Sequence, residues 1–447
     1  MSQQPHIEEL DYQPDSTTRL EQLHGLPGRL LLDSARPWSE RGRWDIIVAD
    51  PVLRLNLILS ETGNYTDIVN WFRELQAACR TLLPAPDGLP FAGGLAGTLD
   101  YELGYPLHYL PAAGGARGDV GLYDWALLSD HTDRRSYLAT QPSMAPGRRR
   151  DLLARLRDAP DPGNAGSHRF QLLQPFQENL NREQYAEAFS RVQAYIQAGD
   201  CYQVNLARRF CSAYEGDPWL AYKSLRGVAA GPFSAYHDCG DRQVLSLSPE
   251  RFLKVTDGQV ETRPIKGTRP RSPEPEVDAS AASELLASVK DRAENLMIVD
   301  LLRNDIGRNC EPGSIRVEAL FELESYPAVH HLVSTIAGNL ADGSSSVDLL
   351  RDCFPGGSIT GAPKRRAMEI IRELEPHPRG PYCGSVFYAG ADGRMDSSIA
   401  IRTLQCEAGQ IQCWGGGGLV ADSQLALEFS ETWDKIGALL TTLEGGQ

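Results

Sequence analysis

No stretch of this 447-residue chain stays apolar for 18 residues, so nothing in it reads as a membrane-spanning helix. The first nine residues, MSQQPHIEE, lack both the basic and the apolar segment of a targeting signal. That argues against secretion or organelle import and for a cytoplasmic protein. The nine cysteines (Cys79, Cys201, Cys211, Cys239, Cys310, Cys353, Cys383, Cys406 and Cys413) are scattered, odd in number and without a C-x-x-C pair. Reduced thiols are therefore the plain reading, with no zinc site and no disulfide framework. Positive charge is in deficit, 44 Lys and Arg against 59 Asp and Glu, for a net −15. Such a field repels nucleic acid and anionic membrane at long range. It also repels a small dianion, so an anionic substrate needs a locally positive site or a bound cation. No internal repeat is visible. The glycine-rich segment Phe354–Lys364 (FPGGSITGAPK) is not a Walker loop, because Ala362-Pro363 follows its last glycine where Lys-Ser/Thr is required.

What is present describes a folded chain. Hydrophobic residues make up 41%, enough to bury a large core. A Pro-, Gly- and small-polar-rich seam spans residues 141–168 around a short helical stretch, Asp151 to Arg157. It divides an N-terminal region, 1–165, from a catalytic region, 166–447. Strand-like runs occur at Arg29–Asp33, Trp44–Val48 and Leu53–Leu59, with a helix over Tyr65–Leu82 and a glycine-rich strand or bend at Gly93–Thr98. After the seam, Asn181 to Ala198 has helical spacing, with Asn181 as N-cap and Gly199 past its end. Helices are predicted over Ala279–Leu302 and Asp422–Leu443. Strands are predicted at Val244–Ser248, Phe252–Val255, Gln259–Pro264, Ser385–Tyr388, Ile399–Cys406 and Gln410–Trp414. Strands mixed irregularly with long helices predict an α+β fold: large antiparallel sheets packed as a sandwich, with helices outside.

Several groups have a chemical reading beside a plain one. Asp291 and Glu294 lie three apart on one predicted helix, and Glu428 and Glu431 repeat the spacing on the last, with Lys435 four further on. Two such faces meeting would suit Mg2+, although acid pairs at this spacing are usually solvated surface. Gly415–Gly418, placed between a strand and the last helix, reads as a tight turn or as a loop whose bare amides approach an anion. Lys266, between a strand and a glycine turn, is an ordinary surface cation unless buried. Burial, with Arg263 close by, favours the neutral amine, a nucleophile. Of His330 and His331 on a strand, one is expected buried and the other exposed. Arg402 is a charge in a strand that otherwise reads as buried, and a carboxylate substrate is one way to pair it.

The order and wording of these segments carry more than any one of them. Gly199-Asp-Cys-Tyr-Gln-Val-Asn-Leu, Ser248-Pro-Glu-Arg-Phe, Arg263-Pro-Ile-Lys-Gly-Thr and Lys290 to Asp305 (KDRAENLMIVDLLRND) appear in succession. They are followed by Pro327-Ala-Val-His-His-Leu-Val-Ser-Thr, Phe354–Lys364, Met395-Asp-Ser-Ser-Ile-Ala-Ile-Arg-Thr, Gly416-Gly-Gly-Leu-Val-Ala-Asp-Ser and Glu431-Thr-Trp-Asp-Lys. From about residue 170 onward the chain resembles the chorismate-utilising enzymes. These include anthranilate, aminodeoxychorismate, isochorismate and salicylate synthases.

The resemblance implies roles. Glu294 and Glu431, supported by Asp291 and Glu428, would hold Mg2+ against the ring carboxylate of chorismate. The Gly416, Gly417 and Gly418 amides and Lys435 would help position that carboxylate, and Arg402 with Tyr382 the enolpyruvyl carboxylate. Lys266 would be the nucleophile, Glu250 the general acid, with His331 near the leaving oxygen; Thr268 and Gln203 complete the substrate pocket. Two positions discriminate within the family. Pro-Ile-Lys-Gly-Thr resembles the enzymes that aminate at C4, where anthranilate synthases have alanine for the lysine. Gln203 stands where the water-using members carry a lysine. The implied reaction is C4 amination of chorismate, for 4-aminobenzoate and folate synthesis. Its ammonia would come from a separate glutaminase subunit, since no Gly-x-Cys-Leu-Gly segment is present. Leu31-Leu32-Asp33-Ser34 resembles the strand that helps form a tryptophan pocket in the aminating members. The alternatives are the large component of anthranilate synthase, releasing pyruvate, and an inactive tryptophan-binding homologue.

Overall fold

The structure, a computed structural model, describes residues 4–36, 42–157, 169–326 and 329–445. Met1–Gln3 of the N-terminal stretch, residues 158–168 of the seam, and Pro327-Ala328 of the histidine segment lie outside the described residues. The remaining strands form two large sheets, one of 13 and one of 11 strands among the described residues. Pairing is antiparallel throughout. The N-terminal strands are woven into both sheets. Leu30–Asp33 pairs with Phe233–Asp238 in the first, and Gly94–Leu99 with Ser385–Gly390 in the second.

The sheets face each other across Leu30, Ile46, Val48 and Ala235 on one side and Ala96, Tyr123 and Val386 on the other. Helices cover the outer faces. Those at Pro218–Arg226 and Gly437–Glu444 bury Trp219, Tyr222, Leu439 and Leu440 with Tyr236, Leu245 and Leu404 of the first sheet. Ile298, Val299, Leu302, Leu349 and Leu350 pack with Phe252, Leu253, Val260 and Ile336 of the second. Each fully buried aliphatic or aromatic side chain contributes about 1.5–3 kcal/mol. No described helix is long and apolar enough to cross a membrane.

Local chemistry sets the element ends. Helix Arg182–Gln197 starts from Asn181, whose side chain accepts from the Gln184 N–H while Gln184 reaches back. Its Tyr185, Ala188, Phe189 and Val192 form one buried stripe. Four expected elements are interrupted. Leu53–Leu59 becomes the short strands Leu53–Arg54 and Leu57–Ile58, because the Asn56 side chain takes the hydrogen bond of the Val120 N–H. The expected helix Ala279–Leu302 divides into Pro275–Ala287 and Val289–Ile306 at Ser288, whose hydroxyl caps the second by accepting from the Asp291 N–H. The last helix divides into Leu425–Asp434 and Gly437–Glu444, with Gly437 against the Trp433 indole. Ile399–Cys406 is broken between Met395–Ile399 and Thr403–Glu407 by Arg402, held at φ 51°.

Candidate active site

Three glutamates converge where two helices approach one strand. Glu294 projects from Val289–Ile306, and Glu428 and Glu431 from Leu425–Asp434. The Lys290 Nζ lies 3.9 Å from both Glu294 Oε1 and Glu428 Oε1, which ties the two helices across the gap. An ideal Cβ built on Gly417 would stand 3.3 Å from both Glu428 Oε2 and Glu431 Oε1. Ser423 donates to Glu428 at 2.6 Å, and Lys435 pairs with Glu431 at 2.7 Å while donating to the Gly416 carbonyl at 2.8 Å. Burial raises the carboxyl pKa of Glu294 and of Glu428, and neighbouring carboxylates add to it. Glu431 is displaced downward, since Lys435 and the other lysines outweigh its burial. Asp291 is directed elsewhere: its carboxylate pairs with Arg269 at 3.1 Å.

The glycine run beneath this cluster is a strand and not the expected loop. Gln410–Leu419 continues through it, and Gly415–Gly418 pair with Arg208 back to Asn205. On the other side Thr403–Glu407 accompanies it only as far as Cys413, leaving one edge of the glycines open. Close approach explains the composition. A Cβ on Gly415 would meet the Thr432 carbonyl at 2.0 Å, on Gly416 the Tyr382 hydroxyl at 2.9 Å, and on Gly418 the Gln203 amide nitrogen at 2.9 Å. Gln203 is fully buried, and neither atom of its amide has a hydrogen-bond partner among the described residues. Tyr382 is buried and stacked on Trp414.

Lys266 and Glu250 meet at a residue that the motifs did not single out. The Ser358 hydroxyl donates to Glu250 Oε1 at 2.7 Å, and the Ser358 carbonyl accepts from Lys266 Nζ at 3.4 Å. Burial raises the Glu250 carboxyl pKa, with the Ser358 hydrogen bond and Lys266 opposing. Burial lowers the Lys266 pKa; Glu294 opposes and Lys435 assists. The assisting cation is thus Lys435 and not Arg263, which is drawn off to Glu324 and Thr335. Lys266 sits on Ile265–Pro270 just before Gly267, whose φ of 83° favours glycine. Ser358 could have been suspected only from its place in Phe354–Lys364. That segment is anchored by a buried Lys364–Asp305 pair of 2.7 Å and holds no phosphate-type lysine.

The two histidines are both buried, against the expectation of one in and one out. Helix Pro275–Ala287 covers His330, which contacts Asp278 at 3.0 Å and Ser325 at 2.8 Å. His331 contacts the Thr268 hydroxyl at 2.9 Å. Arg402 is half-buried, its pKa lowered by desolvation alone, and no carboxylate among the described residues pairs with it. Asp33 lines a separate cavity of about 640 Å3 between the sheets, with Trp44, Phe233, Arg251, Lys254 and Tyr388. Its carboxylate accepts from Arg226, Tyr222 and the Ala35 N–H at 2.5–2.7 Å. Ser34 bonds to Asp45 instead.

Whether the carboxylates suit a divalent cation is a question of donors. Glu428 and Glu431 face one point above Gly417, and Glu294 stands across Lys290 Nζ from Glu428 on the other helix; carboxylate oxygen is the hard donor type that Mg2+ takes. They stand around lysines rather than closed on an ion: among the described residues no three such groups are at metal-holding distance of one another. The donor chemistry fits, in an open arrangement.

Residues 27–441 match the family described as chorismate binding enzyme. Aminodeoxychorismate synthase component 1 of Salmonella typhimurium is 45% identical over 98% of this chain and 98% of its own length. The protein of the same name from Klebsiella aerogenes is 46% identical over 98% and 99%. The crystal structure of anthranilate synthase component I from Streptococcus pneumoniae superposes with a TM-score of 0.76 at 28% identity, covering 90% of this chain and 93% of that one. Family match, full-length relatives and fold agree: the chain belongs to the chorismate binding enzymes.

Proposed function

We propose that this chain replaces the C4 hydroxyl of chorismate with an amino group, through a covalent bond to Lys266. The observation that carries this is the meeting of a desolvated lysine and a buried, protonatable glutamate at Ser358. The names of the relatives support the choice among chorismate chemistries.

Glu294, Glu428 and Glu431 would hold Mg2+, which when bound offers the ring carboxylate a positive partner that the acidic chain lacks. Lys435 and the open edge of Gly416–Gly418 assist in placing that carboxylate. Arg402, without a carboxylate partner among the described residues, takes the enolpyruvyl carboxylate together with Tyr382. The neutral Lys266 amine attacks ring C2 and forms a C2–N bond. Both ring double bonds shift, the C4–O bond breaks, and the departing hydroxyl takes the Glu250 proton and leaves as water. Ammonia then bonds to C4, both double bonds shift back, and the C2–N bond breaks to release Lys266. A proton from the added nitrogen returns to Glu250, so the balance is chorismate plus ammonia to 4-amino-4-deoxychorismate plus water. His331 and Thr268, one hydrogen-bonded pair, would face the leaving oxygen, and Gln203, beside Gly418, would offer a donor and an acceptor that have no partner among the described residues.

The name component 1 supports a second subunit that supplies ammonia from glutamine. We place the tryptophan subsite in the inter-sheet cavity at Asp33, whose volume of about 640 Å3 is in the range of small-molecule sites. The test is product analysis by chromatography with mass detection after incubation with chorismate, Mg2+ and ammonium at mildly alkaline pH. 4-Amino-4-deoxychorismate without pyruvate is expected. Anthranilate with pyruvate would overturn the reading.

A further inference from the structure

Each carboxylate of the cluster has a lysine, but the two lysines are held differently. Lys435 makes a 2.7 Å contact with Glu431 and donates to the Gly416 carbonyl, so its ammonium is fixed by two short bonds. Lys290 has neither kind of anchor. Its Nζ stands 3.9 Å from Glu294 and 3.9 Å from Glu428, outside hydrogen-bond distance of both. It arises from the first turn of Val289–Ile306, with a side chain 46% exposed, and reaches across to the facing helix. A simple pair four residues apart on one helix would involve Glu294 alone.

We propose that Lys290 is a tethered counter-cation for the magnesium site, neutralising Glu294 and Glu428 in the metal-free protein and competing with the divalent ion for them. This rests on the reading that the three glutamates take Mg2+. The physical case has three parts. Carboxylates gathered away from water repel one another unless a positive charge stands among them. A lysine on a four-carbon stem is a compact, mobile charge suited to entering and leaving. Two carboxylates turned toward one ammonium cannot present the same oxygens to an ion, and a divalent ion a few ångströms from that ammonium is repelled by it. Lys290 therefore weakens metal binding to the substrate-free protein while keeping the two helices together.

The experiment is calorimetric titration of MgCl2 into the purified full chain without chorismate, for the parent, Lys290→Met and Lys290→Arg. Removing one positive charge near a divalent ion is worth about five- to tenfold even with water-like screening. Lys290→Met should tighten Mg2+ by about that factor, and Lys290→Arg should stay near the parent. Arg365→Met, which removes a cation paired four residues along another exposed helix, should leave the affinity unmoved. Equal or weaker Mg2+ binding by Lys290→Met, beside measurable binding by the parent, overturns the role of Lys290 and leaves the magnesium reading standing. No Mg2+ binding by any of the four proteins overturns both.

Discussion

Buried charge is treated in opposite ways in two parts of the molecule. Between the sheets, Arg242 meets Asp100 at 2.9 Å and Asp119 at 2.5 Å, all three almost inaccessible, and beneath the helix Pro218–Arg226 on the outer face of the first sheet Arg226 meets Asp33 in the same manner. At the site, among the described residues, Arg402 has no counter-charge, Lys266 has one long contact to a carbonyl, and the Gln203 amide has no partner. Taking a charge or amide out of water is costly, so the first arrangement is what stability demands. The second forgoes that compensation and leaves groups whose partners come with the ligand. Composition cannot tell these apart, since both regions combine basic side chains with aspartate or glutamate; satisfaction of the charges can.

The largest effect that would test this contrast is chemical. Lys266→Ala should lower C4 amination by roughly three orders of magnitude or more, read as product formed per enzyme. Full retention of amination would remove the lysine from the mechanism. Next comes stability: Asp33→Ala removes the buried carboxylate of the Arg226 guanidinium, leaving it the exposed Asp15 and the Arg36 carbonyl, and should cost about 3 kcal/mol in denaturant unfolding. A cost below about 1 kcal/mol would mean that the buried pairs do not carry stability in this way. Arg402→Gln should do the reverse. We expect KM for chorismate to rise about 10- to 100-fold, the loss of a charged hydrogen-bonded contact, with the unfolding free energy unchanged or improved. Marked destabilisation by that variant would place Arg402 with the structural arginines.

The smallest effect is a pH signature. Rate is lost toward acid as the Lys266 amine is protonated, and toward alkali as Glu250 gives up its proton. Because burial lowers the first pKa and raises the second, the two windows move toward each other. The Ser358 hydrogen bond holds the Glu250 pKa down, so Ser358→Ala should raise it further and keep more of the acid protonated in alkali. The ratio of variant to parent rate should therefore climb with pH. A flat ratio would show that Ser358 does not set the proton affinity of the acid.

Much of the fold was open to reading from the residues, because alternation and capping are local. Trp44–Val48 matches its strand, and the Asn181 cap stands where its side-chain chemistry places it. The α+β class followed from counting such elements. What could not be read depends on partners distant along the chain. Ser288 stops a helix that composition would continue, and four glycines that look like a loop become a strand because the Leu425–Asp434 helix, Tyr382 and Gln203 press against them. The resemblance named Lys266, Glu250 and the glutamates, and the structure gathers them. Ser358 and Lys290 were invisible as individuals, since a serine in a glycine-rich turn and a lysine on an acidic helix are common everywhere. Only the distances to Glu250, Glu294 and Glu428 distinguish them.

The glycine strand has a consequence at the level of the gene. Every missense change in the codons of Gly415 to Gly418 introduces a Cβ, and at three of these positions that atom would lie within 3 Å of its neighbours. The codons of Gly415, Gly416 and Gly418 are thus free to vary only in their third base. Random mutagenesis that selects for activity should leave this short window blank while the helices on either side accumulate substitutions.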